Sequence, residues 1–564
     1  MNPWHAQLRL NGAVRVLDGA IYREMALRPS TPLSARQHNG HMLHPRTAHR
    51  FALYLLAIIL PGLGSDLRAQ PSTHQTQPLQ LSLYEAVATA LTNSPEIEVL
   101  RLNPERARED VKEERGRFDP VLVAEGYKQR QVEPSGSSIL GSEVTTSGAG
   151  GSVGLEQLLP WGTKLSMDWD SSRDRDDSLV SSLDPAYGSA LQLSLEQPLL
   201  QGAFDGRPWM FVRVRQASYR AALDDYDTNL VGQLREIIRR YWGQQLARLE
   251  VHTAEKSLER TIKFKDEIEG RVRVGVLSPL AGSDASAQVA LRKEDLIRTK
   301  NALLVASNRL RQSLGIDLTL HSATELVLTD EPTYVDVKPD VEESIEKALS
   351  VRPDIMAQRN RIRAAELTAR IAENELLPEI NVIGSAGVEG LSGDPKAGFS
   401  GQVDDTFEGD FNDAIDELES GDYYNYRAGI VFRQPLGDTS SRARANRARI
   451  ELAQQRARLS ALMQEAIVEV RNAIGDIESG KQRILAAEEA KRFAEESVRN
   501  GEERFAVGLA TIREVLDAQE DLAEAESTLA RSLVDYRVSI DDLYSSRGEL
   551  LARYGIRVIR DSTK

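Results

Sequence analysis

The chain contains no cysteine, few aromatic residues and no long apolar run beyond its N-terminal segment. The lack of cysteine excludes disulfides, thiolate catalysis, cysteine-ligated zinc and lipidation of an N-terminal cysteine. Aromatic residues are 5% and charged residues 27% of the 564 residues, a balance typical of long exposed helices rather than one large globular core. The net charge of −15 argues against a nucleic-acid partner.

Histidine is scarce as well. Beyond the N-terminal segment the chain has only His74, His252 and His321, which lie too far apart in sequence for a metal-ligand motif. The glycine-rich stretch 148–151 is not followed by the Gly-Lys-Ser/Thr of a phosphate loop, and no Ser-His-Asp constellation emerges. The sequence therefore predicts a protein that is not an enzyme and has no cofactor or metal site.

The N-terminal segment has the pattern of a secretory leader. A basic stretch at 44–50 precedes an apolar stretch at 51–64, and small residues up to Ala69 suit cleavage before Gln70. We therefore predict a leader with a signal peptide at 1–69. Because this leader is long, Met42 is an alternative start, and a buried helix is the alternative interpretation of the apolar stretch. The predicted mature chain is exported and has no helical membrane anchor.

The second half of the chain repeats the first. Pro95 and Pro120 recur as Pro353 and Pro378, and both pairs lie 258 positions apart. The Gln-Pro-Leu at 197–199 likewise recurs at 434–436. We predict two units, 80–320 and 339–557, joined by a linker at 321–338. Each unit runs helix, strands, very long helix, turn and returning helix, a duplication that places function in the overall shape rather than in one cleft.

Several segments alternate between apolar and polar residues, as strands with one apolar face do. The clearest lie around 165–169, 191–195 and 426–432. This pattern suits an outer-membrane strand, although a soluble sheet with one core face is the alternative. We count four to six strands, too few for a closed membrane barrel, and an open sheet edge is costly in lipid. A membrane barrel would therefore be shared between subunits, with twelve strands from three copies, or eighteen if every candidate counts.

Two segments, 207–274 and 438–505, are each 68 residues long, and no proline occurs between Pro208 and Pro279 or after Pro435. A continuous helix of this length spans on the order of 100 Å. Apolar residues recur at coiled-coil spacing in 467–484 and 522–543, with polar residues between them. This favours an array of helices with wet surfaces inside and outside, while a plain antiparallel coiled coil without a lumen is the alternative.

Two short turns end these long helices. Gly275 and Gly508 permit the left-handed turn that ends a helix, and Ser278 and Thr511 suit the N-caps of the returning helices. Thr511 with Glu514 three residues later also fits a capping box.

The chain has helices that begin with proline, paired strand ends and Gly-x-x-Ser/Thr turns, and each of these features occurs twice and in the same order. In this arrangement it resembles the TolC-type outer membrane efflux protein family. The resemblance implies an α+β membrane protein of duplicated helix–strand–long hairpin units. It implies a homotrimer whose twelve-stranded outer-membrane β-barrel continues into a periplasmic α-helical barrel. It further implies passive export of small molecules or secreted proteins from an inner-membrane RND or ABC-type pump through a periplasmic adaptor. A non-pore periplasmic structural coiled-coil protein is the alternative function.

The resemblance also implies functional positions. Gly275, Ser278, Gly508 and Thr511 are the expected adaptor contacts at the hairpin tips. Glu514 and Asp517 are the expected constriction of the periplasmic entrance, where threefold symmetry would form a ring of six carboxylates that favours cations. Like-charge repulsion would raise the pKa of carboxyl groups in such a ring.

Three features depart from the family pattern. The residues that the resemblance implies as a lock of the entrance are replaced here by Phe505, Ala510 and Ala281, so closure needs other contacts. Residues 152–170 are an extra segment, which puts the strand count of twelve in doubt. The segment 402–422 carries nine acidic residues and no basic one, and is interpreted either as a solvated loop or as a loop that binds divalent cations.

Overall fold

The computed structural model describes residues 14–17, 20–23, 79–134, 143–177, 181–316, 326–396 and 403–558. Two short strands pair near the N-terminus, β1 (Val14–Leu17) and β2 (Ala20–Arg23). The rest of the predicted leader, including Met42 and the cleavage position after Ala69, lies outside the described residues. Across the described ranges, no helix combines the length and hydropathy needed to cross a membrane.

The helices and strands follow the same order twice. The first half comprises β3 (Leu79–Leu81), α1 (Leu83–Asn93), α2 (Pro95–Gly116), β4 (Val121–Pro134), β5 (Glu143–Leu158), β6 (Lys164–Asp176), β7 (Leu183–Pro198), a 3-10 turn (Phe204–Gly206), α3 (Trp209–Arg273) and α4 (Pro279–Ser313). The second half comprises β8 (Leu326–Leu328), α5 (Val341–Val351), α6 (Pro353–Asn374), β9 (Glu379–Pro395), a 3-10 turn (Asp405–Phe407), α7 (Phe411–Ser420), β10 (Tyr424–Arg433), α8 (Thr439–Ala506), α9 (Ile512–Ser546) and α10 (Leu550–Arg553).

Local sequence explains where the shorter helices begin. Ser82 and Glu85 form a capping box at the start of α1. Pro95 and Pro353 occupy the first turns of α2 and α6, where a missing N–H costs nothing. The helices predicted at the two prolines are therefore confirmed.

The two long helices are confirmed with small changes at their ends. Helix α3 has 65 residues and α8 has 68, and each returns through a 35-residue helix, α4 or α9. Three residues of the predicted seam, Val470, Ile477 and Ile484 of α8, are buried. Ile477 and Ile484 pack with residues of α9 such as Tyr536 and Ile540. A larger core lies at the middle of the helices and includes residues of both halves; Tyr241 and Trp242 of α3 are fully buried in it.

Six strands form one antiparallel sheet in the order β10-β9-β7-β6-β5-β4. The count lies at the top of the predicted four to six. The extra segment at 152–170 proves to be part of a longer strand pair, β5 and β6, inserted between β4 and β7. Strands β4 and β10 are the two edges, and every residue of β4 is exposed in the single chain.

Directly opposite residues of the sheet point to the same side, so the register defines two faces. We call the side that carries Leu191, Leu193 and Leu195 of β7 the apolar face. The polar face is the side that carries Gln192 and Ser194. The alternation predicted for the strands is therefore confirmed.

The acidic segment 402–422 is predicted to be a loop, but the structure has a helix within it. It contains the helix α7, which begins with a capping box between Asp410 and Asp413. Phe411 of α7 packs edge-on against Tyr187 of β7 on the apolar face, with ring centroids 6.5 Å apart. A Cβ atom at Gly390 of β9 would clash with the carbonyl oxygen of Ala414, so only glycine permits this close approach.

Candidate functional site

Both hairpin tips close with the same hydrogen-bonded turn. At the first tip, the N–H of Gly275 donates to Val272 O (3.0 Å) and that of Val276 to Arg271 O (2.9 Å). At the second tip, the N–H of Gly508 donates to Phe505 O (3.1 Å) and that of Leu509 to Arg504 O (2.8 Å). Gly275 and Gly508 have φ values of +78° and +79°, the left-handed conformation that this helix-ending turn requires.

The returning helices start at the predicted caps. Ser278 Oγ accepts from the N–H of Leu280 (3.2 Å), and Thr511 Oγ1 accepts from the N–H of Glu514 (3.2 Å). The predicted capping box at the second tip is only half formed. Thr511 makes its bond, whereas the Glu514 carboxylate turns toward Arg504 at 4.0 Å. Because its carboxylate turns toward Arg504, Glu514 does not accept the second hydrogen bond of the capping box, from the N–H of Thr511.

The tips also expose aliphatic side chains that the sequence analysis did not select. Val276 and Leu280 of the first tip are 68% and 69% exposed, and Val507 and Leu509 of the second are 71% and 69% exposed. The signal was present, because Val276 and Leu509 both follow the left-handed glycine of their turn. Exposed aliphatic side chains at the end of a long hairpin are typical of a contact surface for another protein.

One arginine joins the two hairpins just behind the tips. The Arg271 guanidinium donates to the carbonyl oxygen of Phe505 (3.2 Å) and stacks over the Phe505 ring at 4.7 Å from its centroid. Phe264 of α3 contacts the same ring edge-on, with centroids 5.1 Å apart. Phe505, which the sequence analysis noted only as a missing lock residue, is thus the centre of a contact between the hairpins.

Small side chains complete this contact. Ala281 and Ala510, the other two replaced lock positions, are half-buried and pack against the same cluster of Phe264, Ile268 and Phe505. The three replaced positions thus belong to one apolar cluster, and Arg271 closes it with a hydrogen bond and a cation–π contact. This contact joins residues 234 positions apart in the chain, so no local pattern could have revealed it.

Glu514 and Asp517 lie on one exposed side of α9, in its first two turns. Glu514 approaches Arg504 at 4.0 Å, and Asp517 approaches Arg513 at 3.9 Å. All four side chains are more than half exposed, so solvent weakens both pairs. Both carboxylates are therefore available to a solvent-filled space, with arginines that offset part of their charge.

Two ionic contacts attach other segments to α8, one from the linker after β8 and one from the start of α6. Lys481 of α8 donates to Asp336 (3.0 Å), and this bond, with one to Tyr334, raises the pKa of Lys481 to about 12. Arg352 donates to Asp354 (2.7 Å) and Glu469 (2.5 Å). Burial lowers the pKa of Arg352, but these hydrogen bonds outweigh it, and the pKa is raised overall.

The polar face of the sheet is concave. At the helical end of the sheet this face borders a hollow of about 630 Å³. The hollow is lined by charged and hydroxyl side chains that include Glu156, Lys164, Ser166, Glu196 and Arg427. Among the described residues, no group of histidine and carboxylate side chains is arranged to hold a metal ion. The geometry thus combines a curved sheet, polar on its concave side, with two hairpins whose tips carry exposed apolar and charged groups.

A family model for outer membrane efflux proteins matches residues 86–316 and 344–549, more than half of the chain. The chain belongs to the outer membrane efflux protein family. The outer membrane protein TolC of Vibrio cholerae serotype O1 is 23% identical over 358 residues, which cover 62% of this chain and 75% of TolC. As a member of this family the chain is an outer-membrane efflux channel protein, and the family is one of transport ducts rather than enzymes.

Solved structures show the same fold. The outer-membrane channel OprN has a TM-score of 0.61 at 18% identity, covering 83% of this chain and 90% of OprN. The CmeC outer membrane channel of Campylobacter jejuni has a TM-score of 0.61 at 14% identity, covering 83% of this chain and 86% of CmeC. The open-state MtrE channel of Neisseria gonorrhoeae has a TM-score of 0.57 at 18% identity, covering 83% and 89%. The predicted α+β fold class is confirmed.

Proposed function

We propose that three copies of this efflux-family chain form a passive outer-membrane exit duct. The duct receives small molecules or secreted proteins from an inner-membrane pump of the RND or ABC type through a periplasmic adaptor. The observation that carries the proposal is a sheet with one apolar and one polar face and two open edges, joined to two long hairpins. The apolar face suits lipid and the concave polar face suits a water-filled lumen.

The open edges support the trimer. An unpaired strand edge within lipid costs several kcal/mol for each unsatisfied backbone group. Because neighbouring strands of the six-stranded sheet alternate in direction, β4 of one copy can pair antiparallel with β10 of the next. Closing the sheet through identical copies therefore satisfies both edges with one repeated contact.

The hairpins support a periplasmic tunnel. Helices of 65 and 68 residues reach on the order of 100 Å from the sheet. Their tips would then meet the adaptor, with Gly275, Ser278, Gly508 and Thr511 at the contact. The exposed aliphatic residues at both tips support this role, because they would be buried by a partner's apolar side chains.

Glu514 and Asp517 are proposed to form the constriction at the tunnel entrance. Threefold symmetry brings three copies of each carboxylate around one axis, which favours cations over anions. The nearby Arg504 and Arg513 offset part of this charge, so the resulting selectivity is moderate rather than absolute.

Recording from planar bilayers tests the duct directly. Purified full-length protein should migrate as a heat-modifiable trimer and should produce stepwise conductance after insertion. A protein that inserts but never conducts, even with Glu514→Ala and Asp517→Ala combined, would overturn the pore and leave a non-conducting coiled-coil protein.

Site-specific crosslinking tests the adaptor contact. The chain has no cysteine, so a single cysteine at Val276 or Leu509 can carry a crosslinker in the native trimer. Both positions should capture the periplasmic adaptor of the cell's export system, identified by mass spectrometry. Leu291 of α4, which is 61% exposed but lies away from the tip, is the matched control. Equal capture at Leu291 would contradict a contact confined to the tips.

A further inference from the structure

We infer that β5 and β6 are lipid-facing membrane strands, so that the trimer closes a barrel of eighteen strands rather than twelve. The inference rests on the proposed trimeric duct and concerns how that duct is built. It follows from the position of the extra strand pair inside the sheet, because three copies of a six-stranded sheet supply eighteen strands.

The register carries the apolar face across all six strands without a break. One row of directly opposite residues is apolar or aromatic from edge to edge, and comprises Tyr426, Ala386, Leu193, Met167, Leu155 and Leu122. The next row has the same character, and comprises Tyr424, Val388, Leu191, Trp169, Val153 and Ala124. The inserted pair therefore continues the lipid-facing band of β7, β9 and β10.

Exposure in the single chain agrees with this reading. Met167 of β6 and Leu155 of β5 are 47% and 46% exposed, the same as Leu193 of β7 at 47%. An exposed apolar band that crosses a whole sheet requires a covering partner, and lipid acyl chains cover the continuous band as one surface. If the pair were instead folded into the lumen, these side chains would face water.

The opposite side of β5 and β6 suits the lumen. Glu156 of β5 lies opposite Ser166 of β6, and Ser166 lies opposite Ser194 of β7 on the polar face. Asp168, on the same side, is opposite Gln192 of β7. Charged side chains on this face would be costly in lipid, so the pair has the same orientation as its neighbours.

The lengths and ends of the pair also fit a membrane crossing. Strands β5 and β6 have 16 and 13 residues, enough for a tilted strand to cross the hydrocarbon core. Their connecting turn lies at the helical end of the sheet, where the N–H of Trp209 at the start of α3 donates to the carbonyl of Pro160 (3.3 Å). The pair therefore runs the full height of the sheet.

The added strands widen the exit. At fixed strand spacing and tilt, the diameter of a barrel grows roughly in proportion to its strand number. Eighteen strands therefore give a bore about 1.5 times as wide as twelve.

Spin-label accessibility tests the orientation of β6. Single-cysteine labels are placed at each position from 165 to 169, in the full-length trimer reconstituted in liposomes, with positions 191 to 195 of β7 as the internal control. Oxygen, which concentrates in lipid, should reach Leu165, Met167 and Trp169 about twofold more readily than Ser166 and Asp168. A water-soluble nickel chelate should show the inverse pattern, in phase with β7.

The control strand separates two failures. Alternation in β7 without alternation in β6 would overturn the inference and leave the duct intact. Absence of lipid access in both strands would overturn the membrane barrel itself, and with it the proposed function. A cryo-electron microscopy map of the unlabelled trimer in a lipid nanodisc gives an independent count, since eighteen strands support the inference and twelve overturn it.

Discussion

The two halves of the chain agree in their helices and differ in their strands. Both halves have a long helix of 65 or 68 residues and a returning helix of 35. The first half supplies four strands of the sheet, whereas the second supplies two. Two hairpins that end side by side must match in length. An antiparallel sheet, in contrast, can gain a pair of strands while its two edge strands keep the same relative direction.

The two tips show the same contrast at the level of single residues. Arg271 and Arg504 hold equivalent places, four residues before the left-handed glycine of each turn. Arg271 reaches across to the Phe505 carbonyl, whereas Arg504 donates to Leu509 O (3.0 Å) in its own turn. One shared turn thus supports two different tasks, an inter-hairpin contact on the first hairpin and local capping on the second.

The largest effect is expected where the second half has an ionic contact that the first half lacks. Arg352 takes the place of Ser94 before the repeated proline, and it bonds Asp354, Glu469 of α8 and the Ser546 carbonyl of α9. Arg352→Met leaves these partly buried groups unpaired. We expect a loss of about 3 kcal/mol in the free energy of unfolding, measured by urea titration of the helical circular dichroism signal.

The control for this change lies in the first half. Arg101 of α2 pairs with Glu98 and Glu105 within its own helix, near solvent. Arg101→Met should cost less than about 1 kcal/mol. A comparable loss for both variants would show that Arg352 stabilises its own helix only, and not the attachment of α6 to α8 and α9.

The helices, tips and alternating strands could be predicted because each depends on neighbouring residues. Proline spacing marks the start of α2 and α6, and the glycine with a following Ser or Thr marks each tip. The strand pair β5–β6 could be predicted only in part. The sequence contains a recognisable extra segment, but the place of the pair between β4 and β7 depends on pairing over long sequence distances.

The features that the sequence did not predict have physical reasons as well. The acidic composition of 402–422 predicts a loop, either solvated or cation-binding, although Phe411, Ala414, Ile415 and Leu418 have helical spacing and Asp410 caps helix α7. The Arg271–Phe505 contact needs the folded arrangement of both hairpins, so the sequence could state only that the family's lock was absent. What a single segment specifies was predictable, and what two distant segments specify together was not.

A smaller effect is expected from the contact between the hairpins, which Arg271 of the first tip makes and Arg504 of the second does not. Arg271→Ala removes a hydrogen bond from a charged donor and a cation–π contact, together worth about 1.5 kcal/mol. If this contact holds the entrance closed, its loss should shift the ratio of open to closed channels by about tenfold. Single-channel recording should show a longer open time or a larger mean conductance.

Arg504→Ala is the matched control, because it removes the equivalent guanidinium from the other tip. It should leave the open fraction nearly unchanged, since Arg504 binds within its own turn. Equal opening by both variants would instead assign closure to the general positive charge at the tips.

The smallest effect is expected from the carboxylates of the second tip. Glu514→Gln with Asp517→Asn keeps size and polarity but removes the charge that the proposed ring supplies. The ratio of cation to anion permeability should fall by about twofold, as measured by reversal potentials in a salt gradient. The effect is limited because Arg504 and Arg513 already offset part of the charge and salt screens exposed groups.

The first tip again provides the control. Asp284 of α4 holds the place equivalent to Asp517, six residues after the cap of its helix, and is exposed. Asp284→Asn should leave selectivity unchanged if the second hairpin alone lines the entrance. A loss equal to that of the double variant would place both hairpins at the constriction. Unchanged selectivity in the double variant would move the filter away from the tips, to charged residues such as Glu156 and Asp168 on the polar face of the sheet.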